Sequence, residues 1–296
     1  MPGYVADHTP VEQKTLLTRR KFLLGSAAAA SGLALYSGEH ARHEISVVTQ
    51  DMALAKLPDA FLNYRIAQIS DIHFDEYTEA WFVRRVVEQV NRLAPDLVLL
   101  TGDYISNTPM GPNFAAGAML RCAKELSALT CPARYAVMGN HDSFLGPPLI
   151  RAGLASASIP MLFNQHVAIE RNGQHLWLAG LADALSNVPN LQQAIPAIPD
   201  GPVILLCHEP DYADNVLDQG YGALVDVMLS GHSHGGQVRL PLIGPLKLPY
   251  GGQKYSLGLY QLGQMQLYVN RGIGTVGVPF RLNCPPEITL FTLTRS

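Results

Sequence analysis

The chain of 296 residues carries 21 Lys plus Arg against 24 Asp plus Glu, a net charge of −3 with no dense basic stripe, which argues against general nucleic-acid binding. A 48% hydrophobic content without internal repeats fits one globular domain with a substantial core. Cys122, Cys131, Cys207 and Cys284 lack the paired spacing of a zinc finger.

In chain order, the first feature is Thr18-Arg19-Arg20-Lys21-Phe22-Leu23-Leu24, followed by an Ala/Gly-rich apolar stretch to about Tyr36. An arginine pair directly ahead of an apolar run resembles a twin-arginine export signal, with Leu24 where such signals usually carry lysine. No clean Ala-x-Ala cleavage pattern follows, and the run is slightly shorter than the ~20 residues of a spanning helix. The expectation is a signal, or a retained anchor, with a linker over residues 1–56 and one folded domain over 57–296. Its partners would be the twin-arginine export machinery and a membrane, and its address periplasmic, extracytoplasmic or membrane-anchored.

Beyond the leader, the runs 64–70, 97–101, 135–138, 203–207 and 225–230 are mostly aliphatic or β-branched, as strands covered on both faces are. Between the first two, Trp81, Phe82, Val86, Val87, Val90 and Leu93 recur at helical spacing with Pro95 just beyond, predicting a helix over 79–93. A second helix is expected over 114–129. Helices alternating with buried strands give a layered α/β domain, whose sites form in loops beyond the strands' carboxyl ends. The Pro/Gly-rich stretch 241–252 reads as a loop over such a site, forming a substrate wall.

Polar clusters follow those strands: Asp71-Ile72-His73, Gly102-Asp103, Gly139-Asn140-His141-Asp142, Cys207-His208 and Gly231-His232-Ser233-His234. A lone histidine or Gly-Asp is usually structural, but joint occurrence at successive strand ends points to metals. In extended chain, residues two apart point the same way, so Asp71 can grip one ion with His73, and His232 and His234 can lie across a metal pair. Asn140 and His141 should diverge, one towards metal and one towards substrate. Asp103 can bridge two cations with its two oxygens, and Asp142 either orients His141 or caps the following turn. Gly102, Gly139 and Gly231 permit tight turns where a side chain would crowd the ions. His8, His40, His43, His166 and His175 have no comparable setting and read as solvated or structural.

The ordered set Asp-x-His, Gly-Asp, Gly-Asn-His-Asp, His and Gly-His-x-His resembles the calcineurin-like metallophosphoesterase superfamily, over residue 64 to about 237. The tail Asn270-Arg271-Gly272-Ile273-Gly274, Pro279-Phe280-Arg281 and Pro286-Glu287-Ile288 resembles its bacterial exported or membrane-associated branch. The resemblance implies a layered β-sandwich flanked by helices, with a dinuclear site at the strand carboxyl ends. It implies Asp71, His73, Asp103 and His234 around one ion, Asp103, Asn140, His208 and His232 around the other, and catalytic His141 near the leaving group. Arg271 and Arg281 would either meet substrate phosphate through forked hydrogen bonds or anchor their loop.

With no thiolate among these ligands, two ions drawn from Mn, Fe, Zn, Co or Ni are expected. A metal lowers the pKa of bound water from ~15.7 to about 7, roughly 12 kcal/mol towards hydroxide. The expected function is therefore a metal-dependent phosphoesterase, specifically a phosphodiesterase using metal-bound hydroxide on a phosphate-ester substrate, lipid-linked substrates included. The alternatives are a UDP-2,3-diacylglucosamine pyrophosphatase-type hydrolase of lipid A synthesis and a noncatalytic interaction module on the same fold.

Overall fold

The computed structural model describes residues 18–74, 77–107, 111–186 and 188–295. His8 lies outside them.

Two sheets face each other. The first has the order β1 (Ser46–Ala53), β13 (Glu287–Thr294), β2 (Arg65–Ile69), β3 (Leu97–Leu100) and β4 (Arg134–Ala136). Here β1 runs parallel to β13, β13 antiparallel to β2, and β2, β3 and β4 are mutually parallel. The second has the order β11 (Gly258–Leu262), β12 (Met265–Val269), β8 (Val227–Ser230), β7 (Val203–Leu206), β6 (Gln174–Gly180) and β5 (Gln165–Arg171). Strands β6, β7, β8 and β12 are parallel, and antiparallel hairpin strands β5 and β11 close the two edges. A small hairpin, β9 (Arg239–Leu240) with β10 (Gly244–Pro245), stands apart.

The period of two along each strand sorts side chains into layers. Leu97 and Leu99 join Ile204, Leu206, Val227, Leu229 and Phe291 between the sheets. Val98 and Leu100 face the opposite way, against α2 (Ala80–Leu93), α3 (Pro112–Leu126) and α5 (Pro147–Ser156). On the far side, Val203, Leu205 and Met228 pack with Leu191 and Ala194 of α6 (Leu191–Ala194) and Ala213 and Val216 of α7 (Ala213–Asp218). The result is four layers, helix, sheet, sheet, helix. Short α4 (Asn140–Leu145) follows β4 directly.

The expected α2 is present, burying Phe82, Val83, Val86, Val87 and Val90. Trp81 is instead exposed, its face taken by Arg85 and its flank by His43. The helix stops at Ala94, whose left-handed backbone precedes Pro95.

Order begins earlier than residue 57. Helix α1 (Arg19–Leu35) is exposed along its length and runs into a one-turn wide helix, Tyr36–His40. There Ser37 and Gly38 are buried; the Ser37 carbonyl accepts from the Arg281 backbone, and Gly38 lies against the Phe280 ring. Arg42 then pairs with Glu79 at 2.7 Å and donates to the Tyr77 carbonyl, while His43 reaches Glu79 at 3.0 Å. Strand β1 follows as the edge of the first sheet, so residues placed in the linker by sequence belong to the fold. Among the described residues, no helix is long and apolar enough to cross a membrane.

Candidate metal centre

All five clusters converge where the carboxyl ends of β2, β3, β4, β7 and β8 meet. From the first sheet, Asp71 and His73 follow β2, and Asp103 follows β3. Asp71 and His73 share a side, but not through extended chain: their φ angles are 51° and 47°. Asp103, His232 and His234 also hold left-handed backbone, at 56°, 67° and 50°. Such angles in non-glycine residues cost about 1 kcal/mol or more each and persist where surroundings over-determine them. Here the loops are laced together: Asp71 N donates to Gly102 O at 2.9 Å, and His73 N to Asp103 O at 3.1 Å. Asp142 completes the lacing as a cap rather than a partner of the His141 ring. Its carboxylate accepts from the backbone N–H groups of Asp103, Tyr104 and Gly139, at 2.7, 3.0 and 3.0 Å.

From the second sheet come His208 after β7, then His232 and His234 after β8. The side chains gather into overlapping groups whose ligand atoms lie within 4.8 Å of one another: Asp71, His73 and His234; Asp103, His208 and His232; and His73, Asp103 and His141. Asp103 stands between the groups. Its Oδ2 lies 3.5 Å from His73 Nε2 and 3.2 Å from His208 Nε2, while Oδ1 accepts from the His141 backbone at 3.0 Å. His232 and His234 fall into different groups, one on each side of Asp103, the arrangement expected of residues lying across two sites.

Outer partners fix the imidazoles. His208 Nδ1 donates to the Thr101 carbonyl at 2.6 Å, which turns Nε2 inward. His232 Nε2 donates to the Tyr250 carbonyl at 2.8 Å, so its inward atom is Nδ1. His73 Nδ1 meets Ser106 Oγ at 2.9 Å. His141 Nδ1 accepts from the Asn107 N–H at 3.0 Å, which places the ring proton on Nε2. Ser106, Asn107, Thr101 and Tyr250 were not legible in the sequence; a carbonyl partner leaves no residue-type signature.

The donor set fits a divalent cation. His73 Nε2 and His234 Nε2 face each other at 3.1 Å, and Asp71 Oδ1 is 3.4 Å from the latter, so acceptors confront acceptors. His208 Nε2 and Asn140 Oδ1 are buried without a hydrogen-bond partner among the described residues. Burial pulls His73 down to about 3 and His232 to about 4, keeping both in the neutral form that binds metal. Burial, and then the Asp103 charge, pushes Asp71 up to about 6. Burial also opposes charge on Asp103 and His208, but their mutual attraction prevails. It holds Asp103 well below the carboxylate range and His208 well above the imidazole range.

Glycine is required at all three expected turns: Gly102 holds a φ of 100°, and a Cβ there would lie 2.5 Å from Gly139 N. A Cβ on Gly139 would lie 2.2 Å from Asp103 Oδ1 and 2.7 Å from His208 Nε2. One on Gly231 would lie 2.3 Å from Asp71 Oδ2.

The two arginines turn away from the cavity. Arg281 is fully buried, donating to the carbonyls of Arg271, Gly272, Gly274 and Cys284. Arg271 pairs with Glu287. Both anchor the 271–284 segment, the second of the two roles expected for them. The cavity itself has a volume of about 390 Å³. His73, Asp103, Asn140, His141, His232 and His234 form its floor, with Asp71 and His208 buried beneath. Leu246, Lys247 and Pro249 of the 241–252 loop stand in its wall, as expected for that stretch.

The chain is 32% identical over 288 residues to the uncharacterized metallophosphoesterase YkuE of Bacillus subtilis, covering 94% of this chain and 98% of that one. It is 32% identical over 285 residues to the phosphodiesterase YaeI of Escherichia coli, covering 94% and 100%. A solved dimetal phosphatase from Danio rerio aligns over 72% of this chain and 88% of its own, at 12% identity and a TM-score of 0.47. The Calcineurin-like phosphoesterase profile matches residues 64–236, from the start of β2 through the last histidine of the floor. With that span, and with full-length relatives above 30% identity, the chain belongs to the calcineurin-like phosphoesterases.

Proposed function

We propose that this protein is an exported phosphodiesterase that works with two divalent ions. Asp71, His73, Asp103 and His234 would hold one ion, and Asp103, Asn140, His208 and His232 the other. The observation that carries this reading is a pair of buried His/Asp groups joined at Asp103 Oδ2, with His208 Nε2 and Asn140 Oδ1 unpartnered. The diesterase assignment draws support from the phosphodiesterase name of YaeI. When bound, the ions supply a nucleophile from water at neutral pH and neutralise charge on the phosphate.

The protein's own groups do the rest. Asp142 fixes the Asp103 and Asn140 loops, and the carbonyls of Thr101 and Tyr250 set the ring orientation of His208 and His232. His141, with its proton on Nε2, is the donor for the departing oxygen, a task suited to imidazole near neutral pH. The complete ligand set counts against a noncatalytic module.

The test is turnover by Mn-, Fe-, Zn-, Co- or Ni-supplemented protein on bis-aryl phosphodiesters, aryl phosphomonoesters and UDP-diacylglucosamine. Diester cleavage abolished by chelation is expected, and metal-independent or monoester-only cleavage defeats the proposal. Metal content of two equivalents per chain is the companion measurement. Export rests on Arg19 and Arg20 ahead of the apolar run. Replacing both with lysine should strand folded protein on the cytoplasmic side, and an unchanged distribution on fractionation would remove the twin-arginine assignment.

A further inference from the structure

The floor accounts for a phosphate; the wall above it is of another character. Val238, Leu246, Pro249, Val276 and Val278 face the same cavity as the floor histidines. The neighbouring polar side chains are already committed to the wall's own construction. Gln237 donates to the Val276 and Val278 carbonyls at 3.3 and 3.0 Å and accepts from Val276 N at 2.9 Å. Ser233 Oγ donates to Ser256 O at 2.6 Å and accepts from Gly235 N at 3.1 Å. Apart from the floor ligands, the charged side chain in the lining is Lys247.

Lys247 aside, a sugar or nucleobase placed against this wall would lose water to apolar side chains, at about 1–3 kcal/mol for each group left unpaired. An alkyl or acyl chain meets no such penalty. The volume of about 390 Å³ lies in the range of small-molecule sites, so phosphate and the first part of a chain fit together. The apolar character also runs past the cavity along the chain. Leu242 and Ile243, at the tip of the hairpin preceding Leu246, are fully and 72% exposed.

We infer that the wall is the subsite for an apolar ester substituent, and that the substrate class is a phosphodiester bearing an alkyl or acyl chain. The occupant is fixed by continuity: a phosphate on the floor aims one of its substituents along the wall. This inference rests on the phosphodiesterase reading for where the phosphate sits.

The test is calorimetric, so that it reads the wall without turnover. Methyl-, butyl- and hexylphosphonate are titrated, below micelle-forming concentrations, into Mn-supplemented protein. Affinity is expected to rise about twofold to fourfold per methylene. The double variant Leu246→Ser, Val278→Ser should largely flatten that rise. These side chains are 59% and 47% exposed, so the fold should tolerate their truncation. Ile198→Ser, at a 91% exposed residue outside the cavity lining, should leave the rise unchanged. Chain-length-independent affinity in the wild type, or an undiminished rise in the double variant, overturns the inference. A steep rise without diester cleavage would sink the proposed function and leave the wall standing; diester cleavage with a flat series would do the reverse.

Discussion

On the floor of the cavity, five ligand residues hold left-handed backbone, glycines press against carboxylates, and Asp71, His73 and His208 are sealed from solvent. On the wall, Leu246 and Val278 lie on irregular segments with about half their surface exposed, and the backbone needs little beyond the grip of Gln237. The floor hangs from the ends of buried parallel strands; the wall hangs from loops that follow them. Chemistry is placed where the fold is least free to move, and recognition where substitution is tolerated. If that division is right, changes to the floor should act on all substrates alike, and changes to the wall should act selectively.

The largest effect is expected at Asp103, whose Oδ2 serves both groups. Asp103→Asn should lower turnover about a thousandfold, since several kcal/mol of charge stabilisation goes with the shared anion. Metal analysis after dialysis should show loss of bound ion. Full activity with both equivalents retained would break the bridging assignment.

His141→Ala probes the boundary between the regions. Metal content should persist, and activity on poor leaving groups should fall about a hundredfold or more, the scale of general acid catalysis. Activated aryl esters, which need little protonation, should lose much less. Equal losses across a leaving-group series would remove the donor role, and loss of metal would make His141 a ligand.

Gly139→Ala tests the floor's rigidity without replacing any of its polar side chains. The added methyl meets both Asp103 and His208, so relief requires a shift of the loop, at about 1–3 kcal/mol. A lowered Tm and weaker ion retention should appear together. Unchanged behaviour would mean that the floor yields more easily than its backbone angles suggest.

The mildest probe is pH. Ligands must shed protons to bind metal, so affinity must fall as pH falls through a ligand's pKa. Asp71 sits at about 6, whereas His73 and His232 are already neutral down to about 3 and about 4. Ion affinity should therefore rise from pH 5 through 6. His208, with its proton held by Asp103, should extend that rise above pH 6. Titration of chelator-stripped protein would show it, and a flat profile between pH 5 and 8 would contradict the electrostatics of the floor.

The floor was legible in the sequence because buried parallel strands are continuous apolar runs, so polar residues at their ends stand out. β3, Leu97–Leu100, followed by Gly102-Asp103 is the plainest case. Asp71 and His73 share a group as their spacing suggests, but not through extended chain, since left-handed Asp71 turns the strand end before His73. The edges were less legible. β1 mixes Val47 and Val48 with Thr49, Gln50 and Asp51, as a half-solvated edge does, and its partner β13 is separated from it by most of the chain. The β5–β6 hairpin did carry a signal in Asn172-Gly173, both left-handed, the dipeptide favoured by tight turns. For the arginines, residue type left phosphate contact and loop anchoring both open, and only the carbonyls around Arg281 show the anchoring contacts.

The seam between residues 37–43 and the 279–281 segment sets a limit on maturation. Among the described residues, a protease that trimmed the chain ahead of Ser37 would remove Thr18, the exposed α1 helix and Tyr36. A cut beyond it would strip Arg42 and His43 from Glu79 and empty the space over Phe280. Trimming through β1 would also bare an eight-residue edge of β13 in mid-sheet, a template for pairing between chains. If the chain is trimmed, a form that stays dispersed would therefore be expected to keep the seam, which the monodispersity of truncations ahead of Ser37 and beyond His43 would check.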